Sequence, residues 1–253
     1  MSFINTVDVI GDNALIDSII CRTIEEIADN MIMNIGNYAF QSCSALTTAD
    51  FPVVTKIGEH AFSGCAKLTT ANFPVATSIG GYAFSNCSAL TKAEFPVATS
   101  IGTYEFSSCS ALTKAEFPVA TSIGTFAFIY CSALTKAEFP AVTSISSQAF
   151  IYCSALTKAD FHALTSIGNY VFQSCSGLTS LILRSETMAT LSSTTAFSST
   201  PIESGTGYIY VPRALVDSYK AATNWSTYAA QFRALEDYTV DGTTTGELDP
   251  NKI

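Results

Sequence analysis

Charge is scarce in this 253-residue chain, which has twelve lysines and arginines, twenty-one acids and a formal net charge of −9. Nucleic-acid binding needs a basic stripe to meet the phosphates, and the sequence has none. Histidine is scarcer still: only His60 and His162 are present. Far apart as they are, they assemble no Ser-His-Asp or Cys-His site. No phosphate-cradling glycine loop is found either. The cysteines form no Cys-x-x-Cys and pair with no histidine, so zinc lacks its ligand set. No run of about 20 apolar residues could span a bilayer. Residues 1–10 lack both the basic and the apolar region of a signal peptide. These absences argue against an enzyme, a cofactor, a nucleic-acid partner and membrane insertion.

What is present is a period. Cysteine recurs every 22 residues at Cys43, Cys65, Cys87, Cys109, Cys131, Cys153 and Cys175. Around each stands a version of I-G-x-Y-A-F-x-x-C-S-A-L-T-K-A-E-F-P-V-A-T-S. The period runs without insertion from Ile35 to Leu183. Apolar positions line up in columns, one through Ile35, Ile57 and Ile79, another through Phe40, Phe62 and Phe84, a third through Leu46, Leu68 and Leu90. One coil cannot bury such a set, whereas stacked coils bury it against one another. Within a unit, L-T-K-A-E-F (Leu90 to Phe95) has the L-x-x-A-x-F pattern of a strand whose alternate side chains point inward. Pro96 follows and ends it, having no N–H to donate. The segment T-S-I-G-x-Y-A-F then returns the chain along the opposite side.

The unit I-G-x-x-A-F-x-x-C-x-x-L-T resembles the BspA-type, or Treponema pallidum-type, leucine-rich repeat. The resemblance covers Ile35 to about Met188. It implies an α/β repeat solenoid: a right-handed leucine-rich-repeat superhelix with parallel strands on the concave face, 22-residue repeats and small terminal caps. It also implies adhesion or partner binding at a bacterial or phage surface, and supplies no catalytic residues. The opening N-T-V-D-V-I-G-D is similar to the beginnings of prophage-encoded members. A structural component of a phage particle, assembling with itself or with virion proteins, is the alternative.

The ends read as caps. Residues 1–34 contain a degenerate first repeat, with Cys21 one period before Cys43 and Ile24 and Ile27 in the Leu and Ala columns. Upstream, I-G-D-N-A-L (Ile10 to Leu15) echoes I-G-N-Y-A-F three residues out of register. Asp12 suits the cap of a short helix from Asn13 to about Cys21. Residues 35–188 are the repeats. In residues 189–238, G-T-G-Y-I-Y-V-P reads as a strand, and R-A-L-V-D-S-Y-K-A-A and W-S-T-Y-A-A-Q-F-R-A-L as two short helices covering the last coil. Residues 239–253 are rich in Thr, Gly and Asp and read as a mobile tail. Acids concentrate in both caps, which keeps exposed ends from stacking.

A thiol at one fixed place per coil points the same way as its neighbours, which is wrong for disulfides. Free, buried thiols are expected. Two surfaces are candidates for a protein or glycan ligand. The concave strands expose Lys92, Lys114, Lys136 and Lys158 beside Glu94, Glu116, Glu138 and Asp160. This is either a self-neutralising, solvated face or a charged groove. The second is a break in the repeat. The two residues before each cysteine are small or polar, except for Ile129-Tyr130 and Ile151-Tyr152, with Phe126 nearby. Facing solvent, these form an apolar patch for a partner or for self-association; otherwise they pack between coils.

Overall fold

A computed structural model describes residues 9–14, 26–28, 31–240 and 243–244. The coils stack into two parallel sheets joined by turns. The concave strands include Thr48–Asp50, Thr70–Asn72, Lys92–Glu94, Lys114–Glu116, Lys136–Phe139, Lys158–Phe161 and Ser180–Leu183. Partners are in register at one period, as in Lys136↔Lys158 and Phe139↔Phe161. Alternation decides the faces: Ala93 is buried while Lys92 and Glu94 are exposed. No concave strand followed by a proline runs beyond the phenylalanine before it, as a missing donor requires.

The return side carries its own sheet, built on the isoleucine column. Asn34–Ile35, Lys56–Ile57 and Ser78–Ile79 pair in parallel, as do Ser122–Ile123, Ser144–Ile145, Ser166–Ile167 and Thr190–Leu191. Between the sheets the chain turns instead of forming a helix. Two residues of each coil adopt left-handed backbone, for example Tyr38 (φ 58°) and Ser42 (φ 59°), which stops helix propagation. The turn amides bond forward to the next coil: Tyr38 N–H to Glu59 O (2.8 Å), Phe40 to Ala61 (2.7 Å) and Ser42 to Ser63 (2.7 Å). Most coils are therefore bonded to the next on three sides. The α-helices of the described residues, Pro201–Ser204 and Val216–Ala221, lie beyond the last repeat.

The core is a set of columns. Ile, Phe, Cys and Leu at the repeat positions are almost fully buried. Phenylalanines stack along the axis, with Phe62, Phe84 and Phe106 5.4 and 5.5 Å apart, and a second column through Phe73 and Phe95 tilts against them. Such ring pairs add about 0.5–1.5 kcal/mol each beyond area burial. Each thiol from Cys65 to Cys175 donates to the Phe carbonyl of the coil before, at 3.0–3.2 Å. These six are free. Cys43 corrects the expectation of free thiols throughout, because it is disulfide-bonded, with its partner outside the described residues. The geometric argument holds where coil follows coil at fixed spacing. Cys43 is the first described cysteine, where that constraint ends.

At the N-terminal end, Val9–Ile10 pairs with Asn34–Ile35, so the three-residue offset of the I-G-D-N-A-L echo is a structural feature. Glu26–Ala28 pairs with Thr48–Asp50, with Ile27 opposite Ala49. The expected helix falls largely outside the described residues. Asp12 instead accepts the Asn37 N–H at 2.7 Å, as Asn37 Oδ1 accepts that of Glu59.

At the other end Tyr208–Val211 pairs with Ser180–Leu183, and Phe232–Ala234 pairs with it in turn. The second segment expected as a helix is a 3-10 stretch, Trp225–Gln231, that runs into this last strand. An open sheet edge offers unpaired donors and acceptors, and pairing outweighs the helical pattern. Trp225 Nε1–H donates to Ala189 O and the Tyr219 hydroxyl accepts the Ala189 N–H, both at 2.8 Å. Thr239–Val240 and Thr243–Thr244 form a small antiparallel pair within the segment read as a tail. No helix among the described residues is long and apolar enough to cross a membrane.

Candidate recognition surfaces

On the concave face the Lys and acid columns stand side by side. Lys114 Nζ lies 2.7 Å from Glu116 and 3.8 Å from Glu94. Lys158 Nζ lies 3.4 Å from Glu138 and 3.3 Å from Asp160. Lys92 and Lys136 make no ion pair among the described residues. Exposed pairs of this kind contribute little, because water and salt screen them. Asp160 differs, being buried and accepting from Arg184 through both oxygens at 2.8 and 2.9 Å, with His162 at 3.6 Å. Arg184 lies just past the repeat pattern, so its partnership was not visible in the column alignment.

The concave sheet is split. Thr70–Asn72 is not paired with Lys92–Glu94, nor Lys114–Glu116 with Lys136–Phe139. A cleft lies over each gap. One of about 490 Å³ is lined by Asp50, Thr70, Asn72, Lys92 and Glu94. The other, of about 370 Å³, is lined by Thr113, Lys114, Glu116, Lys136 and Glu138. A third cleft, about 550 Å³, runs along the sheet edge over Pro96 and Pro118 beneath Glu94, Glu116 and Glu138.

The turn side carries aromatic rings. Tyr38, His60, Tyr82, Tyr104 and Phe126 form one stacked column, centroids 4.5–4.8 Å apart and planes within 19°. All five residues have left-handed backbone (φ 53–59°). The column stops at Gln148. Tyr130 and Tyr152 form a separate pair, 4.8 Å apart with planes 3° from parallel. They are 49% and 41% exposed, more than any ring of the column. Ser108 and Ser174 occupy the same position in the flanking coils, so the outer face of each ring looks over a small side chain. Of the five residues read as a patch, Tyr130 and Tyr152 face solvent. Phe126 is half-buried in the column, Ile129 is half-buried, and Ile151 is 5% exposed and packs inward. The pre-cysteine residue lies on a left-handed turn that throws its side chain outward. Its predecessor, in Ile151, turns toward the core.

One residue escaped the sequence reading. Glu105 stands in a column otherwise filled by alanine or valine, and is fully buried. Its Oε2 accepts the Gly102 N–H at 2.6 Å, and Oε1 has no partner. Burial pushes its carboxyl up to about 8, against the pull of the Gly102 bond. The signal was the T-Y-E-F at residues 103–106 among its T-F-A-F and G-Y-A-F counterparts.

The model of the BspA type leucine rich repeat region matches six copies over residues 8–121, 33–157 and 99–209. Among solved structures, a leucine rich cell surface protein of Faecalibacterium prausnitzii A2-165 is 22% identical over 83% of this chain, with a TM-score of 0.60. The match covers 66% of that protein's length. The T. pallidum leucine rich repeat protein is 30% identical, the match covering 61% of this chain and 75% of that one at a TM-score of 0.56. Comparison with curated proteins gives no match.

Proposed function

This chain belongs to the BspA-type leucine-rich repeat family, and on that premise we propose that it is a non-enzymatic recognition module that binds a protein or glycan partner at a bacterial or phage surface. The Tyr130–Tyr152 pair is its contact point. The observation that carries this is a stacked, solvent-facing pair of rings where the other coils place small or polar residues. Tyr130 (φ 61°) and Tyr152 (φ 63°) hold left-handed positions filled in other coils by Ser42, Gly64, Asn86, Ser108 and Ser174. Both rings stay exposed and stack on each other. Exposed aromatic rings are the residues interfaces favour. The cell-surface description of the F. prausnitzii protein supports the location.

The test is a binding screen on arrayed glycans and matrix proteins, with wild type against Tyr130→Ser/Tyr152→Ser. Retention of the wild type and loss of at least tenfold in the variant supports the reading. A bound partner held equally by both chains removes the pair from the site. Light scattering on the same proteins covers self-assembly: an oligomer dispersed by the variant makes a second copy the partner, as a particle component requires.

A further inference from the structure

One coil boundary is open on both sheets. On the return side, the residue after each repeat isoleucine donates to the isoleucine carbonyl one coil back: Gly80 to Ile57 (2.9 Å), Gly124 to Ile101 (2.8 Å) and Gly168 to Ile145 (2.9 Å). Gly102 should donate to Ile79 in the same way. It donates to Glu105 Oε2 instead, and Ile79 O receives no backbone bond among the described residues. The neighbouring rung is missing too. Thr77 donates to Thr55 and Thr121 to Thr99, each at 2.9 Å, but no bond joins Thr99 to Thr77. Across the molecule, the concave strands Thr70–Asn72 and Lys92–Glu94 are unpaired at the same boundary. The other concave gap is different, because there Ser122–Ile123 and Ser144–Ile145 keep the return side closed.

The turn side of this boundary stays intact. Tyr82 N–H reaches Thr103 O at 3.0 Å, Phe84 reaches Glu105 O at 2.9 Å, and Asn86 reaches Ser107 O at 2.7 Å. The Tyr82 and Tyr104 rings stack at 4.7 Å. Two open sides facing one bonded side make a hinge.

We propose that this boundary is a proton-operated joint: the neutral carboxyl of Glu105 accepts the Gly102 N–H and donates its own proton to the carbonyl of Ile79, replacing the missing rung, and ionisation lets the joint open. A carboxylic acid is donor and acceptor together, whereas a carboxylate only accepts. The unpartnered Oε1 is the atom that would carry the proton. In a fully buried site with one oxygen unpartnered, a carboxylate is left unsolvated. Its neighbours supply no counter-charge. Glu105 is in no ion pair among the described residues, burial pushes the Cys109 thiol up to about 12 and raises that of Cys87, and the Tyr104 hydroxyl is also raised. The raised carboxyl, about 8, places the transition in a physiological range. The concave cleft lined by Asn72 and Glu94 straddles the boundary, so opening alters its width.

The test is hydrogen–deuterium exchange of the Gly102 amide, resolved by NMR and corrected for intrinsic rates, at pH 6 and pH 8. Wild type, Glu105→Gln and Glu105→Ala are compared. Linkage predicts that opening becomes about fiftyfold more frequent in wild type between these pH values. Glu105→Gln, which keeps one donor and one acceptor, stays closed at both. Glu105→Ala restores the column residue and is flat with pH. Equal pH dependence in wild type and Glu105→Gln overturns the proposal, as does wild-type protection unchanged from pH 6 to pH 8. Should Glu105→Ala fold poorly, the comparison with Glu105→Gln decides alone.

Discussion

Arg184 grips the buried carboxylate of Asp160 through two hydrogen bonds, Nε at 2.8 Å and a terminal nitrogen at 2.9 Å. The bond joins the first residue after the last repeat strand to the strand of the coil before. It therefore locks the end of the array. Removing one partner of a buried pair leaves an uncompensated charge. Arg184→Ala should lower stability by about 2–3 kcal/mol, somewhat less than a fully enclosed pair because Lys158 still neighbours Asp160. Urea denaturation measures it. A loss below about 0.5 kcal/mol would make the bridge a surface contact.

Glu105 gives the molecule a pH dependence of unusual sign. Its carboxyl is raised on folding, from 4.5 to about 8. The folded chain thus holds its proton where the unfolded chain releases it. The stability so contributed is complete below about pH 4.5 and declines as pH rises toward 8, at up to about 1.4 kcal/mol per pH unit. Wild type should lose melting temperature across this window relative to Glu105→Gln. Parallel curves for the two proteins would show that Glu105 does not titrate there.

The thiol file should be inert. Cys65 and Cys109 are buried and their thiols pushed up to about 12, so thiolate is absent at neutral pH. None of the six free cysteines should react with a thiol reagent at pH 8 until the chain unfolds. Cys109→Ala removes a packed sulfur and its bond to Phe84 O. It should destabilise by about 1–2 kcal/mol, a methyl-sized cavity plus one weak hydrogen bond. Rapid labelling of the native protein would contradict the burial.

Much of this architecture was legible because a 22-residue period carries it. The columns, the concave strands, the proline stops and the offset of Ile10 all follow from residue spacing. What stayed hidden depends on backbone angles and on single departures from the pattern. Nothing in I-Y-C says that Tyr152 stands outward on a left-handed turn while Ile151 points in. The strand at Phe232–Ala234 is set by a sheet edge that only the assembled fold presents. Glu105 was one letter in an alanine column, and its meaning lies in a rung that a repeat alignment does not display. Arg184 falls outside the repeat altogether.

Tyr130 and Tyr152 should trade stability against binding. Replacing either by glycine relieves a left-handed residue, and should raise stability by about 1 kcal/mol. A paired thermal melt and binding assay reads both effects. A destabilised Tyr152→Gly protein would mean that the ring is held by packing and serves the fold instead of a partner.

The most direct measurement of the central claim is the affinity of wild type and of Tyr130→Ser/Tyr152→Ser for a glycan or matrix protein retained by the wild type, with folding of both checked by circular dichroism. The recognition reading predicts an equally folded variant that binds at least tenfold more weakly. Equal affinity in two equally folded proteins would contradict it and move the contact elsewhere on the solenoid.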